Sequence, residues 1–297
     1  MTAGRRAVIP AAGRGTRLSP LTLGVAKELL PLGAYPALTA TLLEAAAAGV
    51  TDLIVVTAAT KPELGRFFSE LAALMRSAAV ADTRLPAAPG PAVQLARLLA
   101  GVTVRLVEQP EPLGVLDAVA RGLALTAPPC AVVFPDLIHL PDQTALARLF
   151  AAHAVCGQAV IGLRAAPADA FPGNAVAVEL PPEYMSPAAL EHATATGAPL
   201  PIRAVGLRRG VPGELLTTFG QLQTAAFDAA IESCCRRHPA GPLADDGLLA
   251  ALAQLAAAGG LYGVLLPGEV VDLGSLPGYL EAVRRFLDHR AALRGLP

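Results

Sequence analysis

The chain has 297 residues, which is enough for one large α/β domain or two small ones around a sizeable core. Its formal net charge of -1 argues against a general nucleic-acid or membrane-surface protein, because such proteins carry a basic excess. No apolar run reaches the roughly 18 residues that a transmembrane helix needs. The N-terminus lacks the apolar stretch of a signal peptide, and the four cysteines show no zinc-binding spacing. We therefore expect a cytoplasmic protein without structural zinc.

Strands and helices alternate along most of the chain. We predict strands over residues 7–10, 52–57, 102–107, 131–136, 158–163, 175–180, 217–221 and 261–266. We predict helices over residues 36–48, 61–78, 142–154, 224–236 and 276–294, with two further helices that end near residues 125 and 258. The Pro- and Ala-rich segments 79–91 and 181–201 are interpreted as a loop and a surface insertion. This order predicts a Rossmann-like α/β fold, a mostly parallel mixed sheet with helices on both faces.

A glycine-rich turn follows the first predicted strand, with the sequence AAGRGTR at residues 11–17. Gly13 and Gly15 lack the Cβ that would block a sharp turn or a close approach to a ligand. Backbone N–H groups on such a turn, with Arg17 and Lys27 nearby, can surround a polyphosphate with donors and positive charge. The turn therefore predicts a nucleotide site, although a Gly-x-Gly after a strand also fits an ordinary turn.

The spacing of residues around this turn excludes two common classes of nucleotide-binding loop. It is not a Walker loop, which needs Gly-Lys-Ser/Thr, and the third glycine of a dinucleotide-binding loop would fall at Leu18. Residues 9–32 instead resemble the sugar-1-phosphate nucleotidyltransferases, with G-x-G-T-R followed about ten residues later by K-x-L-L-P. The details IPAAG and KELLPL resemble most closely the bacterial UTP:glucose-1-phosphate uridylyltransferases.

The resemblance implies a set of site residues near the nucleotide. Arg17 would hold the leaving phosphates, and Lys27 would bridge the α-phosphate and the incoming sugar phosphate. Gln109 would read the base, because an amide offers both a donor and an acceptor to a pyrimidine edge, and Gly114 would let the base approach. The implied nucleotide-binding residues are Ala11, Ala12, Gly13, Gly15, Thr16, Gln109 and Gly114.

Two aspartates follow predicted strands, where ligands of open α/β sheets gather. Asp136 ends the apolar run 131–136, and Asp272 begins a D-x-G-x-x-x-G-Y-x-x-A sequence. An Asp in such a place often only caps a turn or helix. The resemblance implies instead that Asp136 and Asp272 share a Mg²⁺ ion with the substrate phosphates.

The sugar side departs from the family. The resemblance places Gly173 against the sugar, and it places Arg208 and Arg209 where the family has Glu-Lys. Arg209 can still bind a sugar phosphate, but Arg208 cannot accept hydroxyl hydrogen bonds as Glu does. We expect one domain over 1–297, with about 1–140 binding the nucleotide and about 141–297 forming the sugar side and the C-terminal helix.

Three functions remain open at this point. The first is transfer of UMP from UTP to a sugar 1-phosphate, with glucose 1-phosphate preferred. The second is the same reaction with another sugar or base, and the third is a non-catalytic relative that binds a nucleotide or a sugar nucleotide. The expected partners are UTP and a sugar 1-phosphate rather than nucleic acid or membrane, and a homo-oligomer is left open. Lys27 and Lys61 are the two lysines, and we expect Lys27→Ala to lower activity far more than Lys61→Ala.

Overall fold

The computed structural model describes residues 4–80, 91–140, 145–165, 175–208, 215–223, 225–237 and 246–288. The strands in these ranges are β1 (Arg5–Pro10), β2 (Pro31–Leu32), β3 (Tyr35–Pro36), β4 (Val50–Ala58), β5 (Thr103–Gln109), β6 (Cys130–Val132), β7 (Leu137–Leu140), β8 (Ala159–Ala165), β9 (Ala175–Glu179), β10 (Leu200–Pro201), β11 (Ala204–Arg208), β12 (Leu215–Gln223), β13 (Leu261–Leu265) and β14 (Glu269–Asp272). The helices are α1 (Leu38–Ala47), α2 (Pro62–Val80), α3 (Pro91–Leu98), α4 (Val115–Leu123), α5 (Ala145–Cys156), α6 (Pro187–Thr196), α7 (Ala225–Arg237), α8 (Asp246–Ala257) and α9 (Leu276–Asp288).

One large sheet carries the fold, in the order β10-β13-β8-β12-β6-β1-β4-β5, with β9 and β11 attached beside β12. Parallel pairs join β1 to β4 and β6, β4 to β5, and β8 to β13. Strand β12 runs antiparallel to both β6 and β8, so β1, β4, β5, β6, β8 and β13 all point the same way. The prediction of a mostly parallel mixed sheet is confirmed.

Helices cover both faces of this sheet because neighbouring strand residues point to opposite sides. Ile9 and Leu53 pack into a core with residues of α1, α2, α3 and α5. Val8 and Ile54 pack into a second core with residues of α4, α7 and α8. Strands buried on both faces read as continuous apolar runs, which is the pattern seen at 7–10 and 52–57.

The predicted strand 131–136 is wrong beyond Val132. Strand β6 ends at Val132, and β7 begins at Leu137. Pro135 lies between them, and proline has no N–H to donate to a strand ladder. Strand β7 pairs antiparallel with β14 in a separate ladder that sets Leu137 opposite Asp272. This ladder, which the sequence analysis did not predict, brings Asp272 beside Asp136.

The segment 181–201, interpreted as a surface insertion, also forms part of the folded layer. Ser186 caps α6 by accepting from Ala189 N, at 3.2 Å. Strand β10 then adds to the edge of the large sheet by pairing with β13, and Leu200 is buried. Its proline content did not prevent this, because prolines are tolerated at a helix start and on an edge strand. Most of the predicted loop 79–91 lies outside the described residues.

The last helix, α9, packs against its own chain. Leu32, Ile138, Val271 and Phe286 form a small third core between α9, β2 and the β7–β14 ladder. The four cysteines are free thiols. Within the described ranges, every helix is too short or too polar to cross a membrane.

Candidate active site

The glycine turn leaves β1 at the carboxyl end of the sheet. Gly15 has a φ of 68°, in the left-handed region that side chains rarely adopt, and an added Cβ would lie 3.3 Å from Lys27 Cβ. Its carbonyl accepts from Thr22 Oγ1 at 3.0 Å. Glycine is therefore required at this position by both backbone conformation and packing. The next residues, Thr16–Leu18, form one 3-10 turn that carries Arg17.

An open cavity of about 580 Å³ lies over the carboxyl ends of β1, β5 and β6. Ala12, Gly13, Thr16 and Arg17 line it, which places most of the predicted nucleotide loop on one wall. Ala11 and Gly15 are not part of the lining. Ligands in open α/β sheets bind at this end of the strands, and the cavity has the size of a small-molecule site.

Four charged side chains meet on the wall of this cavity. Lys27 Nζ lies 2.5 Å from Asp136 Oδ2, although 109 residues separate them in the sequence. Asp272 ends β14 and accepts at Oδ1 from Gly274 N, at 2.6 Å. A Cβ built on Gly274 would lie 2.8 Å from Asp272 Oδ1, 3.1 Å from Arg17 Nη2 and 3.5 Å from Asp136 Oδ2. Gly274 thus leaves the space in which these three groups converge.

Burial and neighbouring charges shift the pKa values of Asp272 and Lys27 in this cluster. Burial, together with the nearby charge of Asp136, raises the pKa of Asp272 despite the bond from Gly274 N. Burial acts to lower the pKa of Lys27, but the charges of Asp136 and Glu28 outweigh it and raise that pKa. Lys27 is therefore an ammonium ion that already sits on Asp136. A pair of close carboxylates is the donor set that a hard divalent cation such as Mg²⁺ accepts from protein.

The described residues contain no group of three or more His, Cys, Asp or Glu side chains arranged for a metal ion. A cation held by Asp136 and Asp272 would take its other ligands from water or from a substrate. This is the usual situation for Mg²⁺, which binds one or two carboxylates plus substrate phosphates.

Lys61 is buried beneath the glycine turn. Its Nζ donates to Ala11 O at 2.6 Å and to Glu28 Oε1 and Oε2 at 3.0 and 2.8 Å. The Lys61 and Glu28 side chains are only 6% and 1% exposed. Burial lowers the pKa of Lys61 and raises that of Glu28, while the attraction between them opposes both shifts. Lys61 thus links the glycine turn to Glu28, the residue that follows Lys27.

The sequence analysis assigned no structural role to Lys61 or Glu28. The available signal was the scarcity of lysine, since Lys27 and Lys61 stand alone among 23 basic residues. That scarcity was used to single out Lys27, and Lys61 was treated as its comparison. Because Lys61 forms a buried ion pair with Glu28, Lys61→Ala cannot serve as the surface-charge control for Lys27→Ala.

The residues predicted to read the base also line the cavity. Gln109 ends β5 and is buried, and Gly114, with a φ of 93°, precedes α4. Both line the cavity, together with apolar residues of α8 such as Leu248 and Leu252. Gln109 Nε2 donates to Gly114 O at 3.0 Å and to Asp117 Oδ2 at 2.8 Å. The sequence analysis missed Asp117, although its i,i+4 spacing to Arg121 was a readable signal.

The predicted sugar-side residues are the least described part of the site. Arg208 ends β11, and its side chain is not described. Gly173 and Arg209 lie outside the described residues. Their roles stay predictions.

The sequence of this chain matches the model of a known protein family. The model for nucleotidyl transferases matches residues 6–171, more than half of the chain. The chain belongs to the nucleotidyl transferase family. The resemblance drawn from the glycine turn and the KELLP sequence is thereby confirmed.

Two bacterial relatives of this nucleotidyl transferase are uridylyltransferases by name. The UTP--glucose-1-phosphate uridylyltransferase YngB of Bacillus subtilis is 30% identical over 164 residues, which cover 54% of this chain and 52% of YngB. A UTP--glucose-1-phosphate uridylyltransferase of Klebsiella pneumoniae is 26% identical over 291 residues, covering 93% of this chain and 90% of the relative. The chain therefore matches only about half the length of the more similar YngB.

Solved structures share the fold of this nucleotidyl transferase. A UTP-bound UGPase from Acinetobacter baumannii superposes with a TM-score of 0.71 at 22% identity, covering 96% of this chain and 93% of the other. A UDP-glucose pyrophosphorylase complexed with UDP-glucose gives a TM-score of 0.73 at 18% identity, covering 96% and 99%. At these sequence identities, the similarity to the solved structures establishes a shared fold only.

Proposed function

We propose that this nucleotidyl transferase transfers UMP from UTP to glucose 1-phosphate, which gives UDP-glucose and pyrophosphate. The observation that carries the proposal is the convergence of Arg17, Lys27, Asp136 and Asp272 on one cavity beside the glycine turn. The named activity of the Bacillus and Klebsiella relatives supports the choice of UTP and glucose 1-phosphate.

In the proposed reaction, a phosphate oxygen of glucose 1-phosphate attacks the α-phosphorus of UTP. The new P–O bond forms as the bond to pyrophosphate breaks in line, so no side chain needs to act as a nucleophile. Both reactants are anions, and the protein must position them and compensate their charge. Arg17 would bind the leaving β and γ phosphates. Lys27 would exchange Asp136 for oxygens of the α-phosphate and the sugar phosphate.

Mg²⁺ is part of this proposal, with Asp136 and Asp272 as its protein ligands. When bound, the ion would neutralise charge on the phosphates of both substrates. The two carboxylates support this role because both lie within 3.5 Å of a Cβ built on Gly274. The ion pair between Lys27 Nζ and Asp136 Oδ2 supports the proposal, because it leaves Asp136 facing positive charge in this cavity.

The sugar side is proposed to lie in residues 141–297, with 1–140 binding the nucleotide. Arg209 would anchor the phosphate of glucose 1-phosphate, and Gly173 would face the sugar. Arg208 takes the place of a family Glu, so it is the residue that favours a second candidate function. That candidate is the same transfer to a sugar 1-phosphate other than glucose 1-phosphate.

A substrate grid tests both candidates. Pyrophosphate release is measured with Mg²⁺ for each nucleoside triphosphate against glucose, glucuronic acid and glucosamine 1-phosphates. We expect release with UTP and glucose 1-phosphate, and its loss when EDTA removes the metal. Release with another sugar 1-phosphate alone would replace the first candidate by the second. Binding of UTP without turnover for any sugar would contradict both and favour a non-catalytic relative.

Gly274→Ala tests the crowded centre of the site. The added Cβ would meet Asp272 Oδ1 at 2.8 Å and Arg17 Nη2 at 3.1 Å, so both side chains would have to move. We expect pyrophosphate release to fall on the order of a hundred-fold, since small misplacements of positioning groups have effects of this size. Gly65→Ala is the matched control, because an added Cβ on that helical glycine meets nothing within 4 Å. Unchanged release by Gly274→Ala would contradict the proposed centre.

A further inference from the structure

The orientation of the Gln109 amide is fixed by its two neighbours. Its Nε2 points to Gly114 O and to Asp117 Oδ2, at 3.0 and 2.8 Å. The carbonyl oxygen of Gly114 and the carboxylate oxygen of Asp117 are acceptors here, so the amide turns its two N–H groups toward them. The opposite amide orientation would set Oε1 against two acceptors. The hydrogen-bond network therefore assigns the nitrogen and the oxygen without ambiguity.

Asp117 is itself held as an acceptor. Arg121, one turn further along α4, donates from Nε to Asp117 Oδ2 at 2.7 Å. A guanidinium carries only hydrogen-bond donors, so Asp117 Oδ2 accepts from Arg121. Asp117 is not part of the cavity lining, whereas Gln109 is. Asp117 thus acts on the cavity through the amide of Gln109.

One polar atom of this amide is left for a ligand. Both N–H groups of Gln109 are used, and none of the described residues donates a side-chain or backbone hydrogen to Gln109 Oε1. The residue is 5% exposed, so a partner for this oxygen must come from the cavity that the side chain lines. An acceptor in that position selects a ligand with a hydrogen-bond donor.

We propose that Asp117 is a positioning residue that makes the site select pyrimidines bearing a ring N3–H, as uracil and thymine do, against cytosine. In the position that uracil would take, cytosine presents an unprotonated N3 to Gln109 Oε1 as a second acceptor and leaves a buried polar atom unpaired. This inference rests on the proposed binding of UTP in the cavity, and it names the residue that sets the base class.

Nucleotide binding tests the inference without requiring turnover. Dissociation constants for UTP and CTP are measured with Mg²⁺ by calorimetry for the wild-type protein and for Asp117→Asn. We expect the wild-type protein to bind UTP on the order of a hundred-fold more tightly than CTP, since sites built around a specific hydrogen bond reject analogues strongly. In Asp117→Asn, Arg121 would take the carbonyl oxygen and turn the new NH₂ group toward Gln109. Gln109 would then face one acceptor, Gly114 O, and one donor, so neither amide orientation is fixed and the preference should fall to about tenfold or less.

Two further variants separate positioning from folding. Asp117→Glu keeps an acceptor-only group and should retain most of the preference for UTP. Glu111→Gln removes an exposed carboxylate from the turn before α4 and should leave both constants unchanged. Equal loss of UTP and CTP affinity in Asp117→Asn, or a wild-type protein without preference, would overturn the inference. Selective UTP binding without turnover for any sugar would overturn the proposed reaction but not this inference, and failure to bind either nucleotide would overturn both.

Discussion

Asp272→Asn is expected to lower nucleotidyl transfer on the order of a thousand-fold, which corresponds to the several kcal/mol that a bound metal contributes to charge stabilisation. The amide would still accept from Gly274 N through its oxygen, so the turn after β14 should keep its shape. It would lose the negative charge that supports a cation next to Asp136. Asp136→Asn should have a comparable effect, and it would also remove the charge partner of Lys27.

Asp52→Asn provides the matched control for these two substitutions. Asp52 lies on β4 and pairs with the exposed Arg105, away from the cavity. All three variants are compared by pyrophosphate release over a Mg²⁺ titration, with circular dichroism and thermal melting to check the fold. Retained activity in Asp272→Asn, or loss of structure in that variant at 25 °C, would contradict its assignment as a metal ligand.

Lys61→Met is expected to destabilise the fold by about 3–5 kcal/mol, the cost of removing one partner from a buried ion pair. Glu28 would remain buried without its partner, and Ala11 O would lose its donor. Lys27→Met should show the reverse pattern, a large loss of transfer with a smaller loss of stability. The Lys27 and Asp136 side chains are 15% and 23% exposed, so water can solvate the remaining carboxylate.

The two lysine variants are compared by urea denaturation and by pyrophosphate release. The double variant Glu28→Leu/Lys61→Met should recover part of the stability, because an apolar pair of similar size avoids the unpaired charge. Wild-type stability in Lys61→Met would contradict the buried pair. The expectation that Lys27→Ala lowers activity far more than Lys61→Ala stands as a prediction, but it must be measured on the folded fraction of each variant.

The sequence by itself determined the framework of the site. Continuous apolar runs such as 7–10 and 52–57 predict strands buried on both faces, which is how β1 and β4 pack. The glycine turn can be recognised in the sequence because Gly15 adopts a left-handed backbone that few other residues tolerate. These features are local, so the order of residues is sufficient to identify them. The resemblance added Lys27, Asp136 and Asp272, and all three line one cavity.

Only the tertiary structure decided which of these groups touch. Asp136 and Asp272 meet because the register of β7 on β14 sets Leu137 opposite Asp272. Lys61 becomes a buried partner of Glu28 rather than a surface charge because the connection from β4 to α2 brings its Nζ to Ala11 O, beneath the glycine turn. Strand register and burial depend on contacts between distant segments, and the energy of an ion pair depends on how much water reaches it. The residue types were visible in the sequence, whereas their partners followed from packing.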